Sequence, residues 1–134
     1  MSADNRFFDT NVLLYLLSED EAKADRAETL LASGGIISVQ VLNEFASVAT
    51  RTLRMRIPEV REVLGTLRRV CEVKPLSVDT HERGLEIAGR NQLSVYDAMI
   101  VASAHEAGCK ILYTEDLQDG MAIAGLTVHN PFES

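Results

Sequence analysis

The chain has 134 residues, with 13 basic and 20 acidic side chains, a net charge of −7, 46% hydrophobic and 25% charged residues. That composition fits one globular domain over residues 1–134 with a single core. It excludes a general nucleic-acid coat protein, which runs basic, but not a nuclease, because bound cations cover part of an acidic surface.

The apolar runs fall far short of the ~20 residues that cross a bilayer. Polar residues come first, with no secretory signal. Cys71 and Cys109 lie in apolar surroundings outside any C-x-x-C pair. The expectation is a cytoplasmic protein with no membrane association and two small buried thiols.

In chain order, Phe7-Phe8 reads as a short strand ending at Asp9. Val12–Leu17 is apolar and opens a helix. Asp20–Leu31 has helical spacing, with Ala24, Ala27, Leu30 and Leu31 on one side. Ser33-Gly34-Gly35 breaks it. Ile36-Ile37 is a second strand, and Ser38 caps a helix running to about Thr50. Pro58 suits the first turn of a helix reaching Val70.

Val73–Leu76 is the third strand. Helices follow over Asp79–Arg90 and from Ser94 to Gly108. Ile111–Tyr113 is the fourth strand and Leu126–Val128 a fifth. Short buried strands alternating with helices predict an α/β fold, a central parallel sheet of four to five strands covered on both faces. In such sheets the site lies beyond the carboxyl ends of the strands.

Four acids stand where that edge should be. Asp9 and Asp116 follow strands; Glu44 and Asp97 lie in early helical turns. Each has an ordinary alternative. Asp9 is a good helix cap, and Asp116 suits a surface turn with Glu115 and Asp119 beside it. Ser94 and Asp97 have the spacing of a capping box. Glu44 and Asp97, however, sit among apolar neighbours, where a carboxylate needs a partner. Four acids on one edge repel one another unless a cation joins them. Oxygen ligands suit Mg²⁺ or Mn²⁺. His81, His105 and His129 have no metal-ligand spacing, which argues against zinc.

With Asp9-Thr10-Asn11, Asn43-Glu44-Phe45, Tyr96-Asp97-Ala98 after a serine, Thr114-Glu115-Asp116-Leu117-Gln118 and the closing Asn130-Pro131-Phe132, the sequence resembles the PIN-domain ribonucleases over nearly its whole length. Within them it resembles the VapC-type toxins of toxin–antitoxin pairs. The resemblance implies a three-layer α/β/α sandwich with strand order 3-2-1-4-5 and a Mg²⁺- or Mn²⁺-dependent endoribonuclease. It also implies a homodimer and inhibition by a cognate antitoxin. Asp9, Glu44, Asp97 and Asp116 then form the catalytic and metal-binding quartet, with Asp9 and Asp97 as direct ligands. Thr10, Asn11, Thr114 and Asp119 stand by as supporting groups.

RNA must be held despite the negative charge. Arg51, Arg54, Arg56, Arg61, Arg68 and Arg69 crowd one third of the chain. They read either as a solvated helical face or as a phosphate-contacting rim, with Arg51, Arg54 and Arg56 foremost. Leu53, Met55, Ile57, Val60, Val63, Leu64 and Leu67 are mostly core, with some left to form a groove for an amphipathic antitoxin helix.

Two rival readings are a catalytically silent RNA-binding or scaffolding module and a phosphotransferase with Asp9 as nucleophile. Asn11 replaces the second acid the latter wants, and Lys110 precedes rather than follows the late strand. No glycine-rich nucleotide signature is present.

Overall fold

A computed structural model describes residues 5–133. The strands are β1 (Arg6–Phe8), β2 (Gly35–Ser38), β3 (Cys71–Lys74), β4 (Ile111–Tyr113), β5 (Ala122–Ile123) and β6 (Leu126–His129). The helices are α1 (Thr10–Leu14), α2 (Glu21–Leu31), α3 (Val39–Arg51), α4 (Ile57–Val70), α5 (Val78–Asn91) and α6 (Val95–Glu106). A 3-10 turn, Tyr15–Leu17, follows α1.

The strands form one sheet in the order β3-β2-β1-β4-β6-β5. Successive residues of a strand face opposite sides. Phe7 and Phe8 of the central strand are both fully buried, so helices cover both faces of the sheet. Phe7 pairs in parallel register with Ile36 on one side and Leu112 on the other. This is the expected α/β sandwich, and the strand predicted as fifth takes its expected place beside β4.

Three details differ from the sequence expectations. The sheet gains a sixth strand, β5, antiparallel to β6. Ala124 and Gly125 at its turn have φ of 50° and 79°, as a two-residue hairpin turn requires. An Ala at the first position hides that signal. β3 begins two residues earlier than predicted, directly off the end of α4, and stops before Pro75, which has no N–H for a ladder. Gly35 is not part of the break after α2: it opens β2, where a Cβ would come 2.4 Å from the Phe8 ring. The turn itself falls to Gly34, at φ 77°.

The caps match the expectations. Ser38 Oγ accepts from Val41 N, and Ser94 Oγ from Asp97 N. Both cysteines are buried thiols, and burial pushes Cys71 up to about 11, far from a reactive thiolate. No helix among the described residues is long and apolar enough to cross a membrane.

One feature of β1 escaped the sequence reading. Arg6 is buried beneath the sheet's aromatic residues, its guanidinium 5.2 Å from the Phe8 ring centroid and 5.7 Å from that of Tyr113. Its Nη2 donates to the carbonyl oxygens of Leu30 and of Gly34, the latter at 2.7 Å. Those carbonyls close the end of α2 and the turn into β2, so the side chain ties the first helical unit to the sheet.

Candidate active site

Asp9 leaves the sheet directly after β1, its N–H still bonded to Tyr113 O at 2.9 Å. The carboxylate is 5% exposed and anchored at both oxygens. Oδ1 accepts from Thr10 N at 2.7 Å and Oδ2 from Thr114 Oγ1 at 2.8 Å. The capping alternative is therefore also true: Asp9 caps α1.

Thr114 follows β4 and is fully buried. Its hydroxyl donates to Asp9 and accepts from Asp116 N at 3.0 Å and Asn11 Nδ2 at 3.3 Å. Asn11 Oδ1 accepts from Glu115 N at 3.2 Å. Asn11 and Thr114 thus lace the start of α1 to the loop after β4.

Asp97 stands in the first turn of α6. Everything after it, Ala98 through Ala104, is buried, while Asp97 itself is half-buried. Ser94 caps the helix through Asp97 N, and the Asp97 carboxylate is left to face the cavity. One carboxylate oxygen from each of Asp9, Asp97 and Asp116 lies within 4.8 Å of the others. Three acids from three separate segments thus converge beyond the carboxyl ends of β1 and β4.

Glu44 lines the same cavity but stands apart from that trio. Its Oε1 accepts from Thr10 Oγ1 at 2.7 Å and its Oε2 from Gln40 Nε2 at 3.3 Å. Gln40 Nε2 also donates to Tyr96 O at 3.2 Å, tying α3 to the start of α6. Gln40 was missed from the sequence, although its position one turn before Glu44 was a usable signal.

The electrostatics follow from the burial. Desolvation pushes the Asp9 carboxyl from 3.8 up to about 7; the bonds from Thr114 and Thr10 pull it down, and the charges of Asp116 and Glu44 add to the rise. Asp116 is raised in the same direction, first by partial loss of hydration and then by the charge of Asp97. Acids that resist ionising together in a cavity of about 300 Å³ suit a divalent cation, and an all-carboxylate donor set suits a hard one.

The remaining predicted residues fall outside the trio. Asp119 Oδ1 accepts from Asn130 N at 2.8 Å and lies 3.4 Å from His129 Nδ1, so its side chain holds the turn before β5 to the end of β6. Arg51, Arg54 and Arg56 are exposed around the turn between α3 and α4, and none lines the acidic cavity. Arg56 N donates to Glu59 Oε1 at 2.9 Å, closing the start of α4.

Residues 6–118 match the family model of the PIN domain. No curated protein sequence matches the chain. Among solved structures, a toxin–antitoxin complex from Klebsiella pneumoniae is similar at 24% identity and a TM-score of 0.73, over 96% of this chain and 99% of that one. DNA-bound VapBC from Salmonella typhimurium is similar at 20% identity and a TM-score of 0.70, over 98% and 99%. VapC20 of Mycobacterium tuberculosis, a toxin that cleaves the sarcin–ricin loop, is similar at 24% identity and a TM-score of 0.68, over 83% and 89%. These likenesses carry the fold; the family match, with the geometry above, places this chain in the PIN-domain family.

Proposed function

We propose that the protein is a divalent-metal-dependent endoribonuclease, the toxin of a toxin–antitoxin pair, acting in the cytoplasm. The observation that carries this reading is the convergence of Asp9, Asp97 and Asp116 oxygens within 4.8 Å on the sheet edge. Among the similar structures, one is a toxin that cleaves the sarcin–ricin loop and another is a toxin–antitoxin complex, which supports it.

Asp9, Asp97 and Asp116 are the residues that would hold Mg²⁺ or Mn²⁺. A bound cation supplies neutralisation of phosphate oxygens and acidification of water at neutral pH. Thr114 and the Thr10 N–H fix the Asp9 carboxylate in one orientation. Glu44, held by Thr10 and Gln40, would orient the attacking water and take its proton. The water oxygen bonds to phosphorus, the P–O3′ bond breaks, and the 3′-oxygen takes a proton from solvent. The products are a 5′-phosphate and a 3′-hydroxyl.

A second cavity of about 300 Å³ adjoins the first through Asn11, Leu14 and Val48 and continues to Tyr15, Leu17 and exposed Leu53. It fits the apolar side of an antitoxin helix whose cation reaches the acids. Arg51, Arg54 and Arg56 serve as the phosphate-contacting rim, and the active form is a homodimer.

The test is cleavage of cellular RNA by purified protein with Mn²⁺ and with EDTA, beside Asp97→Asn. Cleavage lost in EDTA and in the variant, with 5′-phosphate ends, is the expected result. Equal cleavage in all arms overturns the reading. RNA binding without cleavage under any metal returns the silent-module alternative.

A further inference from the structure

The loop between β4 and β5 carries three acids close together, Glu115, Asp116 and Asp119. A hard cation accepts any carboxylate oxygen that reaches it. Among the described residues, Asp116 alone of these three gives an oxygen to the trio with Asp9 and Asp97. The loop has no helix or strand of its own, so its two other acids must be kept away by other means.

Each of them is held by a donor from elsewhere in the chain. Glu115 Oε2 accepts from the Tyr15 hydroxyl at 3.0 Å. Glu115 lines the adjoining cavity beside Tyr15 and Leu17, not the acidic one. Asp119 Oδ1 accepts from Asn130 N at 2.8 Å. Both holds lead to one segment after β6, Asn130-Pro131-Phe132. Phe132 packs on Tyr15, with ring centroids 4.3 Å apart and planes tilted by 54°. Lys23 Nζ lies 4.9 Å from the Tyr15 ring centroid. The segment is itself fixed. Asn130 Oδ1 accepts from Phe132 N at 3.0 Å, an Asx turn. Pro131 is buried, and Arg26 Nε of α2 donates to Pro131 O at 3.1 Å.

We propose that Asn130-Pro131-Phe132 is a clasp that withdraws Glu115 and Asp119 from the cation, so that the loop presents Asp116 alone. The inference rests on the reading of Asp9, Asp97 and Asp116 as metal ligands, and it makes Tyr15 and Phe132 positioning residues. The need is chemical. A nuclease cation must keep positions open for water and a phosphate oxygen, and a further carboxylate fills one of them. Glu115 is the nearer competitor, next in sequence to Asp116 and one methylene longer. The clasp therefore has a signature that loss of structure lacks. Releasing Glu115 strengthens metal binding and weakens cleavage, whereas damage to the fold weakens both.

Mn²⁺ binding to the full chain, titrated without RNA and followed by the paramagnetic resonance of the free ion, reads the first effect. Mn²⁺-dependent RNA cleavage reads the second. Tyr15→Phe removes one hydroxyl and keeps the ring on Phe132. It should tighten Mn²⁺ binding about threefold to tenfold, because affinity follows the number of charged ligands. It should lower kcat at saturating Mn²⁺ by about tenfold or more. Adding Glu115→Gln should return both to wild-type values, and Glu115→Gln alone should change neither. Phe132→Ala should reproduce the Tyr15→Phe pattern, with the same relief by Glu115→Gln. If Phe132→Ala does not fold, Phe132→Leu, which keeps most of the volume, takes its place.

Unchanged Mn²⁺ binding in Tyr15→Phe or in the folded Phe132 variant, or weakened binding that Glu115→Gln does not repair, overturns the clasp. The ribonuclease reading then stands if wild type cleaves RNA with Mn²⁺. Tightened binding in both variants with no cleavage by wild type upholds the clasp and sinks the ribonuclease reading. No Mn²⁺ binding by wild type overturns both.

Discussion

β1 is three residues long and carries a buried charge at each end, Arg6 at its start and Asp9 just past its finish. The two are treated in opposite ways. Arg6 forms no ion pair among the described residues, yet carbonyl oxygens of Leu30 and Gly34 accept from its guanidinium and two aromatic rings flank it. Its partners come from within the chain. Asp9 has two donors, but Asp116 and Glu44 add negative charge around it, and its carboxyl sits near 7. A buried charge whose acceptors come from its own chain ties elements of the fold together, even with Arg6 Nε left without a partner among the described residues, whereas one raised by burial and like charges calls for something from outside.

The largest effects should therefore carry opposite signs at the two ends. Asp9→Asn should lower RNA cleavage more than about 100-fold, beyond the usual effect of removing a group that merely orients a ligand. In EDTA at pH 8 the same substitution should raise unfolding free energy by about 1–3 kcal/mol, by removing an anion held in a dry site. Arg6→Ala should do the reverse. Two carbonyls lose a donor and a cavity opens, for a loss of about 3 kcal/mol, while the rate of the folded fraction is kept. Chemical denaturation and a cleavage assay on both proteins check the pair. A stabilised Arg6→Ala or a destabilised Asp9→Asn breaks the comparison.

The pH dependence sharpens it. Asp9 titrates near 3.8 when unfolded and about 7 when folded. Between those values the folded chain binds the extra proton, so its stability falls as pH rises from about 4 to about 7 and then levels. Below about pH 4 both states are protonated and the penalty is gone. The stability difference between Asp9→Asn and wild type, measured in EDTA, should thus grow across that window by up to a few kcal/mol. Mn²⁺ should raise the wild-type Tm more at pH 8 than at pH 5.5, because the ion binds the deprotonated site. A Mn²⁺ effect equal at both pH values would mean that Asp9 does not take part.

Thr114→Val should come next. It removes the donor to Asp9 and the acceptor for Asp116 N and Asn11 while keeping the volume. A loss of about 10–100-fold in cleavage is expected, partly recovered at higher Mn²⁺ concentration, since orientation rather than a ligand is lost. No recovery would place Thr114 in contact with substrate instead.

The sequence made the alternation of strands and helices legible, because short apolar runs are bounded by Ser38, Ser94 and Pro58, whose capping and first-turn roles are local. Asp97 was legible for a similar reason: its apolar company left few ordinary uses for a carboxylate. Arg6 was not, because a basic residue opening a strand looks solvated until Leu30 and Gly34 are folded against it. Nor was Tyr96. Helical periodicity gives an aromatic among Val95, Ala98 and Met99 to the core, but Tyr96 is left exposed at the start of α6, the helix that packs against α5. Gly84 permits that packing, since a Cβ there would meet Met99 Sδ at 2.4 Å. The choice of Asp116 over Glu115 and Asp119 rests on its closeness to the fourth strand and to Thr114; spacing alone does not make it, because it depends on where the backbone turns after Thr114.

That choice yields the smallest predicted effect and the sharpest one. Asp119 is one turn too far along: its carboxylate accepts from Asn130 N and faces His129, while Asp116 offers an oxygen to the trio. Both are exposed acids on the same loop, so changing either alters net charge equally and any long-range electrostatic effect on RNA binding is matched. Asp116→Asn should abolish most cleavage. Asp119→Asn keeps an oxygen for Asn130 N and should stay within about twofold of wild type in rate, with a stability change within about 0.5 kcal/mol. Equal losses from the two would mean that the loop's charge, and not the position of one oxygen, is what the site requires.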